Sequence, residues 1–276
     1  MERITDWAKL WRELVEARAA RHRAAEMHGD AWKTRARTFD ADVKRRWQKP
    51  DSSRAFLLSQ VRADDTLLDI GAGTGAWSIY LAPHVRRVTA IEPSPSMIAV
   101  MRENLAEAGV TNVDILSGRW PEVEVQAHDI SLCAHAMYMS PDLPGFIRHM
   151  EAATRRLCVL LMRVPLADNV MALAARRVWG QPHDSPNFVI AYNILLEMGI
   201  CANVLMEDTG AWGSQSHETL EEALEEIKNK LGLGGPSEHD DYLCGLLRER
   251  LTYQDGRYIW PPSVRSALVY WEAGRR

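Results

Sequence analysis

The residues best suited to chemistry form one run, Leu67-Leu68-Asp69-Ile70-Gly71-Ala72-Gly73-Thr74-Gly75. A buried apolar segment that ends in a glycine turn and continues into a helix leaves backbone bare of side chains, so a ligand can lie directly against its amides. Gly71, Gly73 and Ala76 also fit the loose G-x-G-x-x-G/A pattern, and that pattern alone does not separate a nicotinamide dinucleotide from S-adenosylmethionine. Asp69 favours the second. A carboxylate at the mouth of the turn repels a pyrophosphate and attracts an ammonium and a sulfonium, by a few kcal/mol at an effective dielectric of about 20. Glu92 follows about twenty residues after Gly71, where a carboxylate can accept both hydroxyls of an adenosine ribose.

These residues need a frame to hold them. With 276 residues and 46 percent hydrophobic content, the chain can bury a sizeable core, and one domain with additions is expected. No apolar stretch approaches the roughly 20 residues needed to cross a bilayer, and the first residues mix Glu, Arg and Lys among apolar positions. The expectation is a cytoplasmic protein with no membrane partner. Cys133, Cys158, Cys201 and Cys244 show no C-x-x-C spacing, which reads as buried free thiols instead of a zinc or redox pair. A net charge of -4 argues against a general nucleic-acid-binding surface, although Arg and Lys are in excess before Lys49.

Ile4, Trp7, Leu10, Trp11, Leu14 and Val15 recur at spacings of three and four, the apolar stripe of a helix that must pack on something. A basic helix is expected around 31–47, and Pro50, Asp51 and Ser52 supply a stop and a fresh N-cap for a third helix through Val61. From Thr66 the pattern changes to short apolar runs, with strands expected at 67–70, 88–91, 113–116, 130–134 and 158–162. Helices fit between them at 75–81, 96–108 and 144–155, the alternation of a mostly parallel sheet. Two further helices are expected at 167–178 and 188–198, then strands at 202–207 and 267–271. More than fifty residues separate those last two strands, with helices at 219–231 and 240–251, far more than an ordinary connection needs.

The run Asp69-Ile70-Gly71-Ala72-Gly73-Thr74-Gly75, followed by Ile91-Glu92-Pro93-Ser94-Pro95-Ser96-Met97, resembles the class I S-adenosylmethionine-dependent methyltransferases. The resemblance is good over about 66–165 and covers the remainder in outline. It implies an α/β fold, a Rossmann-like doubly wound seven-stranded sheet with an antiparallel last strand. Around this sheet stand N-terminal helices and helical insertions after strand 5 and between strands 6 and 7. The domain organisation it implies is a helical cap over 1–62 and a methyltransferase domain over 63–276, with the long insertion at about 209–262. Asp69 would face the methionine amino end of S-adenosyl-L-methionine, while Gly71, Ala72, Gly73 and Gly75 would form the turn that lines it. Glu92 would hold the ribose, and Pro93 with Met97 would border the adenine.

The chain departs from the family after the third strand, where Ser117-Gly118-Arg119-Trp120 replaces an acidic contact to the adenine amino group. Trp120 can cover the ring by stacking or can simply pack the sheet edge, and Arg119 can serve through its backbone amide. Past the fourth strand comes Cys133-Ala134-His135-Ala136-Met137-Tyr138, which in this family meets both the methyl group and the acceptor. His135 and Tyr138 are therefore the candidate catalytic residues, with His135 also against the cofactor. The alternatives are a core histidine bonded to backbone and an aromatic that walls the sulfonium. Arg163 ends the fifth strand near the ligand edge, to bind an acidic substrate or pair with a surface carboxylate.

The segment lacks the Asn/Asp-Pro-Pro-aromatic run of the nucleic-acid and glutamine N-methyltransferases, so a small-molecule acceptor is expected and nucleic acid is disfavoured. The rival readings are an RNA or acidic protein steered by Arg18, Arg21, Arg23, Lys33, Arg35 and Arg37, or a protein that binds the cofactor without catalysis. No metal is expected: His183 with Asp184, His217 with Glu218, and His239 with Asp240 lack ligand spacing.

Overall fold

The computed structural model describes residues 5–25, 30, 32–207 and 215–274. The apolar stripe near the N-terminus forms helix α1 (Trp7–Ala25), with Trp11, Leu14 and Val15 buried; Ile4 lies outside the described residues. The chain continues through α2 (Ala36–Trp47), α3 (Ser52–Gln60), β1 (Thr66–Ile70), α4 (Ala76–Leu81), β2 (Arg87–Glu92), α5 (Pro95–Glu107) and β3 (Val113–Ser117). Then come β4 (His128–Ala134), α6 (Leu143–Ala152), β5 (Thr154–Pro165), α7 (Val170–Trp179), α8 (Phe188–Glu197) and β6 (Asn203–Met206). The last part holds β7 (Ser216–His217), α9 (Leu220–Leu231), α10 (Asp240–Arg250), β8 (Thr252–Gln254), β9 (Arg257–Ile259) and β10 (Val264–Glu272).

Local chemistry sets these boundaries. The Asp51 carboxylate accepts the Arg54 amide at 2.6 Å and starts α3, while Ser94 Oγ accepts the Met97 amide at 3.1 Å and starts α5. Gly180 and Gly232, at φ +73° and +72°, end α7 and α9 in the left-handed conformation that glycine adopts without a Cβ penalty.

The main sheet has seven strands in the order β3-β2-β1-β4-β5-β10-β6. Strands β1 to β5 pair in parallel, and β10 runs antiparallel to β5 from Val264 opposite Pro165 to Glu272 opposite Leu157. Leu67, Leu68 and Ile70 are buried because helices cover both faces, which is why β1 reads as a continuous apolar run. One face packs Trp11, Phe146, Ile147, Ile190 and Ile194 from α1, α6 and α8; the other packs Leu57 of α3 and Leu81 of α4. The strand order reverses between β1 and β4, so the crevice beyond their carboxyl ends is the place for a ligand.

Strand β6 bonds to β10, the antiparallel last strand, through Ala267 opposite Met206 to Tyr270 opposite Asn203. Two reversals leave β6 pointing the same way as β5, so it delivers the chain to the carboxyl edge. Two expectations need correction. The thiols are not all buried, since Cys201 is exposed and Cys244 half-buried. The long insertion, finally, is not purely helical. It carries a three-stranded sheet, β7-β9-β8, whose strands are too short to show a periodicity in sequence.

That insertion is welded to the segment after β5. Val170, Met171, Ala174 and Ala175 of α7 share one buried cluster with Ala223, Ile227 and Leu231 of α9, Leu243 and Leu247 of α10, and Trp260. Residues set aside as metal ligands have structural partners here. His217 Nδ1 accepts the Trp260 indole N–H at 3.1 Å, and Asp240 pairs with Lys228 at 2.7 Å. No helix among the described residues is long and apolar enough to cross a membrane.

Candidate functional site

Strand β1 delivers the chain into a turn that only glycine can make, with Gly71, Gly73 and Gly75 at φ +72°, +60° and +85°. At Gly71 a Cβ would lie 2.2 Å from the Ala136 Cβ, so the segment after β4 rests directly on the turn. At Gly73 a Cβ would meet only Phe39 Cε1 of α2, at 3.8 Å, and this is the glycine that leaves room for a ligand.

Four of the five amides between Gly71 and Gly75 already have acceptors within the chain. Gly71 and Ala72 both donate to the Ile91 carbonyl, at 2.8 and 3.0 Å, Gly75 donates to Ala72, and Gly73 donates to Glu92 Oε2 at 2.9 Å. A pyrophosphate-binding turn needs such N–H groups aimed at the ligand, so this turn is unsuited to a dinucleotide. The sequence assigns the exclusion of a dinucleotide to Asp69 at the mouth of the turn, and the structure does not place Asp69 there. It is 1 percent exposed, and its Oδ2 accepts the Ser78 hydroxyl of α4 at 2.7 Å. Burial, opposed by Ser78 and reinforced by Glu92, raises its pKa to about 6.

A carboxyl group whose folded pKa is raised contributes most below its unfolded value, and that contribution is lost as pH rises through about 6. Asp69→Asn keeps an acceptor for Ser78 without the charge. Its unfolding free energy relative to the parent should therefore grow by about 1–3 kcal/mol between pH 4 and pH 7 in urea titrations. A pH-independent difference would show that Asp69 carries no such burden.

Glu92 ends β2 with 5 percent exposure, one oxygen on the Gly73 amide and the other on the Ser94 amide at 2.9 Å. Each oxygen keeps acceptor capacity for a hydroxyl, so the group fits the ribose of an adenosine cofactor. Burial raises its pKa against those two amides, and the charge of Asp30 adds to the rise. Asp30 itself went unnoticed in the sequence. Its carboxylate accepts the Ser94 hydroxyl at 2.8 Å, the Ser96 amide at 2.9 Å and the Trp32 amide at 3.0 Å. Burial pushes against ionisation there, but those hydrogen bonds outweigh it and lower the pKa to about 2. The start of α5 is thus already occupied by an anion of the chain itself.

The remaining expected cofactor contacts divide. Pro93 is exposed beside Glu92, and Ala72 is half-buried in the turn. Met97 is buried against Ala36 and Val100, with Trp32 and Phe39 packed on them. Arg119 is exposed, whereas Trp120 is 8 percent exposed, with its indole N–H on the Phe146 carbonyl at 3.4 Å and its ring edge-on to Phe146. Of the two roles open to Trp120, packing at the sheet edge is the one its contacts display.

His135 leaves β4 at φ +58°, a strained conformation for a residue with a Cβ, and its amide donates to the Leu161 carbonyl at 3.0 Å. Its Nδ1 stands 3.3 Å from the Tyr138 hydroxyl, which accepts the Arg163 amide at 2.6 Å. Burial, then the Arg163 and Arg46 guanidiniums, push His135 down to about 3, and burial pushes Tyr138 up. Trp11 closes the group from α1, its ring 6.3 Å from Tyr138 and its indole N–H on the Ser140 carbonyl at 2.8 Å. The structure thus brings His135, Tyr138 and Arg163 together against the glycine turn.

Some of Trp32, Trp179, Tyr192, Trp212 and Tyr242 were expected to wall a pocket, and the described ones have partners of their own, Trp179 packing against the clusters of both α8 and α9. Trp32 packs on Phe39, the Tyr192 hydroxyl bonds the Ala202 carbonyl at 2.7 Å, and Tyr242 is exposed under Arg177. Trp212 lies outside the described residues, as do the side chains of Arg21 and Arg23. A cavity of about 420 Å³ lies between α2, α4 and α5, lined by Val43, Trp47, Ala76, Ile79 and Tyr80 among others.

Comparison with known proteins bears on the family and the fold. Residues 67–156 match the model of a family described as a methyltransferase domain. A probable cobalt-precorrin-6B C(15)-methyltransferase (decarboxylating) of Methanothermobacter thermautotrophicus is 36 percent identical over 78 residues, 28 percent of this chain and 41 percent of that one. A protein-L-isoaspartate O-methyltransferase of Polaromonas is 41 percent identical over 69 residues, 24 percent of this chain and 29 percent of its own. The chain thus spans well under half the length of these curated relatives. Among solved structures, the YcgJ protein of Bacillus subtilis superposes with a TM-score of 0.54 at 15 percent identity, over 81 percent of this chain and 99 percent of that one, which shows the fold. Residues 67–156 are therefore similar to a methyltransferase domain, and the chain has the Rossmann-like fold that it shares with the YcgJ protein.

Proposed function

We propose that the chain transfers a methyl group from S-adenosylmethionine to a small-molecule acceptor. The residues fit that cofactor: Glu92 offers acceptors to a ribose, Gly73 leaves room, and four of the five amides of the turn, already bonded within the chain, are not aimed at a pyrophosphate. When bound, the sulfonium supplies a methyl carbon that carries its own leaving group, so the chain mainly has to align the acceptor and exclude water. His135 and Tyr138 serve this by position. A histidine held near 3 is a weak base at neutral pH, so it orients a partner more effectively than it removes a proton.

The observation that carries the small-molecule reading is enclosure. Tyr138 is 5 percent exposed and packs against the fully buried Trp11, so the candidate catalytic group lies within the chain and not on an open surface where a folded macromolecule docks. The basic face of α2 supports it, because its charges are answered within the chain: Arg37 grips Glu103 with two bonds of 2.9 Å, Lys44 pairs with Asp40 at 3.1 Å, and Arg45 with Asp42 at 2.7 Å. Relatives that match part of the chain include protein and probable ribosomal RNA methyltransferases, so both classes belong in the test.

Methyl-labelled cofactor, incubated with the protein and a whole-cell extract split into metabolite, RNA and protein fractions, should deposit label in the metabolite fraction alone. Label in RNA or protein would replace the acceptor class. No transfer to any fraction, with cofactor bound, would favour a binding protein without catalysis.

A further inference from the structure

Arg163 stands near the carboxyl end of β5, opposite Ser266 of β10, with its guanidinium against Tyr138 and its charge felt by His135. Its guanidinium carbon lies 4.3 Å over the Tyr138 ring, and its own amide donates to the Tyr138 hydroxyl, so ring and guanidinium fix each other's planes. Yet Nε and Nη2 are buried and make no hydrogen bond among the described residues. The sequence left open a surface carboxylate as partner, and the structure supplies none to these two nitrogens.

Two facts make this arrangement informative. Tyr138 serves the guanidinium as a side-chain hydrogen-bond partner, but two buried nitrogens without acceptors are costly, and a ligand that supplies acceptors removes that cost. The vacant nitrogens are also a matched pair: Nε and Nη2 share one edge of the guanidinium, whose parallel N–H bonds meet the two oxygens of a single carboxylate. His135 is held neutral and feels the positive charge of both Arg163 and Arg46. A cationic cofactor on the adjoining turn adds to that excess of positive charge, and an acceptor carrying a negative charge offsets it.

We propose that Arg163 recognises a carboxylate on the methyl acceptor, and hence that the substrate is a small organic acid held side-on by Nε and Nη2 above Tyr138. The carboxylate here is a handle for binding and orientation. This assignment rests on the methyl-transfer reading for its meaning, but the anion site can be tested on its own.

The test uses the full chain, with and without S-adenosylhomocysteine, and three carboxylate probes: benzoate, phenylacetate and butyrate. Their primary amides serve as neutral controls of the same shape, and phenyl phosphate as the alternative oxyanion. Saturation-transfer NMR and competition among the probes give affinities for the parent, Arg163→Gln and Arg163→Lys. At least one carboxylate should bind the parent about tenfold or more tighter than its amide, lose that preference in Arg163→Gln and recover part of it in Arg163→Lys. Affinity for S-adenosylhomocysteine should stay within about threefold in all three proteins. Absence of carboxylate binding to the parent, equal binding to Arg163→Gln, or a marked preference for phenyl phosphate would overturn the assignment. Failure of S-adenosylhomocysteine to bind while the carboxylate preference holds would instead remove the proposed cofactor and leave the anion site standing.

Discussion

Glu92→Ala is expected to weaken S-adenosylhomocysteine binding by about 100-fold or more. Two charge-assisted hydrogen bonds to ribose hydroxyls are lost, each worth roughly 1.5–3 kcal/mol. The structure adds a second cost that the sequence did not reveal. Glu92 also holds the Gly73 and Ser94 amides, so its removal leaves two N–H groups of the turn without their acceptors and should lower unfolding stability by about 1–3 kcal/mol. Glu92→Gln separates the effects: it keeps the shape and one acceptor oxygen but points an amide N–H₂ at a donor. It should lose nearly as much affinity with a smaller loss of stability. In the parent protein, affinity should fall as pH drops through the raised pKa of Glu92, because the protonated acid accepts fewer hydrogen bonds. Calorimetry on the three proteins checks the order, and an unchanged affinity in Glu92→Ala would show that this carboxylate does not touch the ligand.

Gly71→Ala should be the most damaging single methyl group in the chain. It places a Cβ 2.2 Å from the Ala136 Cβ and forces alanine into φ +72°, so either the turn or the segment carrying His135 has to move. The left-handed conformation alone costs roughly 1–2 kcal/mol. The overlap adds a displacement of the residues that meet the cofactor, and binding should fall by at least about 30-fold. Gly180→Ala is the control, since Gly180 has φ +73° and nothing within 4 Å of its Cβ position; it should cost stability through the backbone term alone. Adding Ala136→Gly to Gly71→Ala should restore part of the affinity, because the clash is removed while the strain stays. No recovery would mean that contact between the two segments is not what the glycine protects.

The parallel half of the fold was readable because its signals are local. Between Thr66 and Pro165 each strand is an apolar run bounded by caps and glycines, and the seven main-sheet strands were all expected within a few residues of where they lie. The short strands β7, β8 and β9 were not, because two or three residues carry no period and their pairing depends on Trp260 and α9. The site was legible to the same degree. Glycines at positive φ and a carboxylate ending β2 are written in the motif. Asp30, which meets Ser94 across 64 residues, and Trp11, which meets Ser140 across 129, are placed by packing alone. The role given to Asp69 illustrates the limit: its position in the sequence was right for the mouth of the turn, but the side chain turns inward to Ser78.

The connection between the two insertions also limits what deletion of the longer one can report. Deleting about 210–262 would strip Val170, Met171, Ala174 and Ala175 of their partners, so lost turnover in such a protein would report exposed apolar surface as readily as a lost pocket wall. Point substitutions at Tyr138 and Arg163 avoid that ambiguity.

The central claim is that this glycine turn holds a cationic adenosyl cofactor and rejects a pyrophosphate, and isothermal titration of the purified chain tests it most directly. S-adenosylmethionine and S-adenosylhomocysteine should each bind at a single site, while the oxidised and reduced nicotinamide dinucleotides give no saturable heat. Saturable binding of a nicotinamide dinucleotide, with no response to either adenosyl ligand, would contradict the account.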